Sequence, residues 1–172
     1  MRFLKIIAGF LLSSTFLGGC FSVPEFADNP EIEFSDISSF LRVDELTGGY
    51  KDSLVISVKF RDGDGDLGYT QREIDSLAKV GGGYNFLVKQ FRKVKGEFVV
   101  YEPLEPLSGY FHRLSGDKPG PIEGTIHYRG IQVYHSFYPY ARDTVKFEIY
   151  IRDRSGNTSN TIVTDSVVLR PI

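Results

Sequence analysis

The chain has 172 residues, 41% hydrophobic and 24% charged, with a formal net charge of −2. That length suits one domain, and the composition carries an ordinary core and excludes a compositionally disordered chain. A balance this slightly acidic excludes the basic footprint of a nucleic-acid binder, and a single Cys excludes an internal disulfide framework.

The first segment, residues 1–19, reads as a signal peptide. Arg2 and Lys5 form a basic start, and Ile6 to Phe16 is an apolar run broken only by small residues. The run falls well short of the roughly 20 residues that span a bilayer. Leu17-Gly18-Gly19-Cys20 follows, and it resembles the lipobox of bacterial lipoproteins. The resemblance implies cleavage before Cys20, a diacylglycerol on its thiol and an acylated amine. Several acyl chains, at about 0.8 kcal/mol per buried methylene, anchor a protein stably where one chain does not. Phe21 stands where an inner-membrane retention signal would place Asp, so the resemblance implies an outer membrane. Without residues 1–19 the chain keeps 18 basic residues against 22 acidic ones. Residues 20–30, with two prolines and no period, read as a lipidated tether.

Residues 31–172 read as one β-domain. Ser53 to Phe60 alternates, with Leu54, Ile56, Val58 and Phe60 on one face. Thr144 to Arg152 alternates likewise, with Val145, Phe147, Ile149 and Ile151 inward. A period of two marks a half-buried antiparallel strand. Weaker strands are expected at Glu31–Ile37, Tyr84–Arg92, Phe98–Tyr101, Gly124–Tyr128, Ile131–His135 and Thr161–Leu169. Lys95-Gly96 and Arg129-Gly130 are expected to turn hairpins between them. Gln71 to Val80 is the one expected helix, stopped by Gly81-Gly82-Gly83. Glu102 to Pro121, with four prolines and three glycines, reads as a long surface excursion. Seven or so short strands fit an all-β, immunoglobulin-like two-sheet antiparallel sandwich with one short helix after its acidic loop.

That loop is Phe60-Arg61-Asp62-Gly63-Asp64-Gly65-Asp66-Leu67-Gly68. Aspartates at alternate positions offer short oxygen ligands, and the glycines let the backbone curl so that the carboxylates converge on a hard cation. In the spacing of an EF-hand loop, Asp62, Asp64 and Asp66 take positions one, three and five, and Glu73 takes position twelve. Leu67 stands where that loop has Gly, and a strand rather than a helix leads in. Parity adds a second argument. Asp62 continues the inward series of its strand, and Asp153 continues that of the later one. Arg154 to Asn160 then supplies further oxygen ligands, Asn157 among them. If the two strands are second and sixth in a sandwich, their loops share one end. Carboxylates about 5 Å apart there repel by roughly 3 kcal/mol at an effective dielectric near 20, which a calcium ion would relieve. The plain alternative is that Asp-Gly pairs and the Asp153–Asn157 stretch are ordinary turns.

FRDGDGDLG after a strand, with the later DTVKFEIYIRDRSGNTSN, resembles small uncharacterised lipoproteins of Bacteroidetes-type bacteria. The C-terminal piece also resembles bacterial immunoglobulin-like repeats. The resemblance spans most of residues 50–170 and implies a β-sandwich in the cell envelope, with no activity to transfer. No nucleophile–base motif, phosphate loop or zinc spacing is present; His112, His127 and His135 are scattered. Tyr134, Phe137, Tyr138 and Tyr140 form an aromatic run that either packs the core or grips a sugar or protein. The expected protein is therefore a lipid-anchored envelope module, calcium-stabilised and not an enzyme. Its partners are the membrane and an envelope protein or glycan. The alternative is an accessory glycan-binding lipoprotein of a polysaccharide-uptake system.

Overall fold

A computed structural model describes residues 24–116, 119–134 and 143–169. Cys20, His135, Phe137, Tyr138 and Tyr140 lie outside the described residues. In chain order the elements are β1 (Glu31–Val43), β2 (Tyr50–Asp62), α1 (Gln71–Lys79), β3 (Phe86–Val94), β4 (Glu97–Tyr101), β5 (Ile122–Tyr134), β6 (Thr144–Ile151), β7 (Ile162–Val163) and β8 (Val167–Val168). They form two antiparallel sheets, one ordered β1-β2-β5 and the other β4-β3-β6-β7, with β8 also paired to β6. The described residues thus form an all-β sandwich with one short helix.

The alternation seen in the sequence builds its core. Leu54, Ile56 and Val58 from β2 meet Val145, Phe147, Ile149 and Ile151 from β6, all fully buried. Each such side chain contributes about 1.5–3 kcal/mol by leaving water. Phe86 of β3 stacks on Tyr128 of β5, with ring centroids 4.0 Å apart, which ties the two sheets through their middle. Asn160 closes part of the β1 edge. Its side chain accepts from the Ile32 N–H at 2.8 Å and donates to the Ile32 carbonyl at 2.9 Å.

Lys95 and Gly96 turn the β3–β4 hairpin as expected, both at positive φ (51° and 95°), as a two-residue turn between twisted strands requires. Arg129-Gly130 does not turn. Tyr128 pairs with Ile56 and Ile131 with Leu54, so β5 carries one extra residue there and runs on as a bulged strand. The long partner β2 supplies backbone partners on both sides of the bulge, and that overrides the local turn signal. The Thr161–Leu169 strand is likewise broken. Buried Thr164 accepts the Phe147 N–H through its hydroxyl at 3.0 Å and donates its own N–H to the Phe147 carbonyl at 2.9 Å. A side chain replaces the ladder there and separates β7 from β8. Residues 102–121 are not a mere surface excursion either. Leu107 and Phe111 are buried in the core, and Asn85 holds Phe111 by two hydrogen bonds of 2.9 and 3.1 Å.

Candidate metal centre

β2 delivers Asp62 to the rim of the core with its side chain inward, as parity requires, and the residue is fully buried. The chain then curls through Gly65 and Gly68, both at positive φ (72° and 83°). A Cβ at Gly65 would overlap the Gly120 carbonyl, and one at Gly68 the His112 carbonyl. Neither position accepts a larger residue. The curl brings carboxylate oxygens of Asp62, Asp64 and Asp66 within 4.8 Å of one another, a group able to hold a metal ion.

Internal bonds fix the group's shape. The Asp66 N–H donates to Asp62 Oδ2 at 3.0 Å and to Asp64 Oδ1 at 3.1 Å. Ser155, in the loop after β6, donates its N–H and its hydroxyl to Asp66 Oδ2 at 3.0 and 2.7 Å. Arg154 donates to the Gly68 carbonyl at 3.0 Å. The loops after β2 and β6 therefore lie at one end and are stitched together, although their strands belong to different sheets. Asp62 Oδ1 and Asp66 Oδ1 are buried with no hydrogen-bond partner. A buried, unsatisfied carboxylate oxygen is costly, and a cation is one way to satisfy it.

The electrostatics agree. Burial above all, then the Asp64, Asp66 and Asp153 carboxylates, pushes the Asp62 carboxyl up to about 7; the Asp66 N–H opposes them. Asp64 is raised too, first by burial, with Asp66, Asp153 and Asp28 adding to it. Carboxylates this close favour either protonation or a cation.

The other expected ligands are used elsewhere. Glu73 closes a capping box at the start of α1. Its Oε2 accepts the Thr70 N–H and hydroxyl, each at 2.7 Å, and its Oε1 pairs with Arg113 at 3.4 Å. Those donors, the Thr70 N–H first, hold its carboxyl below the usual range. The twelve-residue spacing had an N-terminal helix cap as its cause. Asp153 is buried near the triad, but Asn157 takes both its oxygens, through its N–H at 2.7 Å and its Nδ2 at 2.8 Å. That stretch is the plain turn allowed for above. Sequence reasoning missed the role of Ser155, whose signal was only its place in an oxygen-rich loop. Of the histidines, His127 Nδ1 bonds Ser57 Oγ at 2.8 Å, and His112 forms a backbone bridge to Tyr69.

No helix among the described residues is long and apolar enough to cross a membrane. No family model matches the chain, and neither a curated protein nor a solved structure matches it.

Proposed function

We propose that this chain is a membrane-anchored envelope lipoprotein whose immunoglobulin-like sandwich is a calcium-stabilised binding or structural module. The observation that carries the calcium reading is buried Asp62, with an unpartnered oxygen, amid Asp64 and Asp66. Calcium is the ion of choice because it takes six to eight oxygen ligands in flexible geometry, whereas magnesium demands a tight octahedron. The ion would offset the repulsion that the apo loop stores, and through Ser155 it would brace the two sheets against each other. Strands one, two and five in one sheet, against three, six and seven in the other, support the immunoglobulin-like reading. The lipid anchor rests on the basic start, the apolar run and Leu17-Gly18-Gly19-Cys20.

The test is thermal melting of the full chain in detergent, with calcium and with chelator. Extracellular calcium modules bind at about 10⁻⁴–10⁻³ M, and ligand at 100 times its dissociation constant stabilises by about 2.7 kcal/mol. A rise of several degrees is expected with calcium, with little from magnesium and none in Asp64→Ala. Equal melts with calcium and chelator would overturn the reading. The module reading also entails no catalysis; turnover of an ester, peptide or glycoside that a single point change abolishes would refute it.

A second reading, an accessory glycan-binding lipoprotein, draws on a cleft of about 270 Å³ lined by Tyr101, Leu104, Leu107, Gln132 and Tyr134. Tyrosines beside amide groups can stack and hydrogen-bond a sugar ring. Binding of an oligosaccharide that Tyr134→Ala removes would favour it.

A further inference from the structure

We propose that the outer face of the sheet β4-β3-β6 rests on a lipid surface that carries anionic headgroups, so that the anchored domain lies along its membrane with this face down. The inference rests on the lipid anchor proposed above and names the face that meets the membrane. It is independent of the calcium site.

Parity sets the face. β6 buries Val145, Phe147 and Ile149 in the core, so Lys146 and Glu148 point outward. Residues paired across strands share a face. Lys89 and Phe91 of β3 stand opposite Glu148 and Lys146, and Phe98 of β4 stands opposite Lys93. The Lys146 Nζ lies 4.4 Å from the centroid of the Phe98 ring and 5.7 Å from that of Phe91. Lys89 Nζ lies 5.4 Å from the Phe91 centroid, and Lys93 Nζ 5.9 Å from that of Phe98. Two rings thus gather three ammonium groups, and the attraction of each ring face for a cation lets like charges sit together. Among the described residues no carboxylate lies within ion-pair distance of any of the three, although Glu148 is the cross-strand neighbour of Lys89. The chain without residues 1–19 has 18 basic residues against 22 acidic ones, so a face with three uncompensated cations reverses the charge of the whole.

The cations call for an anionic occupant, and the carbon around them calls for lipid. Val100, Val163 and Val168 share the face, opposite Phe91, Glu148 and Thr144, and are 50%, 50% and 53% exposed. Lysines set among exposed aliphatic and aromatic carbon suit the bilayer boundary, where ammonium meets phosphate and side-chain carbon meets acyl chain. A soluble polyanion would engage the lysines and leave the valines in water. The tether brings the membrane within reach. The Gly63 N–H donates to the Ala27 carbonyl at 2.8 Å, which pins the chain at the end of the sandwich where β2 stops. From there back to Cys20 the chain extends up to about 25 Å. Phe86 pairs with Ile151 at that same end, and Lys89 and Lys93 lie about 10 and 23 Å from it along β3. An anchor this near gives even a weak patch a high effective concentration of headgroups.

The experiment places the full chain on vesicles of phosphatidylcholine, alone or with about one-fifth phosphatidylglycerol. Flotation separates the bound protein, and mass spectrometry follows the acetylation rate of each Lys. Lys59, exposed on the outer face of the other sheet, is the control. Each Lys at an anionic surface is worth about fivefold in binding. Acetylation of Lys89, Lys93 and Lys146 should therefore slow about tenfold on the anionic vesicles relative to the neutral ones, with Lys59 unchanged. Salt at about 1 M, where screening acts within ~3 Å, should remove the difference. In Lys93→Gln/Lys146→Gln the slowing at Lys89 should shrink to about twofold or less. Equal rates on the two kinds of vesicle, or slowing at Lys59 as large as at Lys89, would overturn the inference. So would slowing by a soluble sulfated polysaccharide and not by vesicles, which would make the face a polyanion site. A chain that fails to float with phosphatidylcholine would overturn the lipid anchor. The face would then be judged by flotation with the anionic vesicles, and failure there would overturn it as well.

Discussion

Removing the cation and raising the pH should destabilise the domain through Asp62. The sign follows from its folded-state carboxyl, raised from 3.8 to about 7. Below about pH 4 the group is protonated whether the chain is folded or not, and it costs nothing. Above that, the unfolded chain ionises freely while the folded one resists, so stability falls until about pH 7. The full penalty is ~4 kcal/mol at about 1.4 kcal/mol per pH unit. Roughly two thirds of it, ~3 kcal/mol, accrues between about pH 5 and pH 8. At about 3 °C per kcal/mol for a domain this size, Tm in chelator should drop by roughly 8 °C over that range. Asp64, also raised, pulls the same way. The lowered carboxyls Asp44 and Glu73 have delivered their stability by about pH 5 and do not mask the trend. Excess calcium should flatten the curve. Asp62→Asn should flatten it too, because an amide oxygen still accepts the Asp66 N–H but carries no charge. The assay is a series of melts by circular dichroism from about pH 5 to pH 8, with calcium and with chelator. A parent chain no less stable at pH 8 than at pH 5 in chelator, or an Asn variant no more stable than the parent at pH 8, would refute the reasoning.

Other outcomes test separate parts of the account. Cys20→Ser should release the protein from membranes or leave its precursor uncut, read by fractionation and mass; a mature Ser variant still in the membrane fraction would contradict lipidation. Glu73→Ala should cost about 1 kcal/mol through the lost helix cap and leave the calcium response intact, read by melting; loss of that response would restore Glu73 as a ligand. Gly65→Ala should destabilise by more than about 1 kcal/mol, because the residue sits at positive φ against the Gly120 carbonyl; a denaturant midpoint equal to that of the parent would show that the loop has room to shift.

The parts of this molecule legible in its sequence are those where one physical rule acts alone. β2 and β6 each bury one face, so a period of two announced them, and the same parity placed Asp62 and Asp153 inside. The curl of the Asp-Gly loop was legible because positive φ at Gly65 is a local demand. Where two rules compete, local reading fails. Arg129-Gly130 has turn chemistry, yet β2 on its flank keeps β5 extended through a bulge. Glu73 has metal-ligand spacing, but three residues from a Thr is also capping-box spacing, and the nearer partner wins. Residues 38–43 lengthen β1 without any alternation, because pairing with β2 along Tyr50–Val55 extends them.

The central claim is that the loop after β2 holds calcium, and a crystal structure of the protein grown in excess calcium tests it most directly. The account predicts one anomalous scattering peak coordinated by Asp62 Oδ1, with Asp64 and Asp66, at the 2.3–2.6 Å typical of calcium–oxygen bonds. Water alone between those carboxylates, or a proton shared by Asp62 with a neighbour at neutral pH, would contradict it.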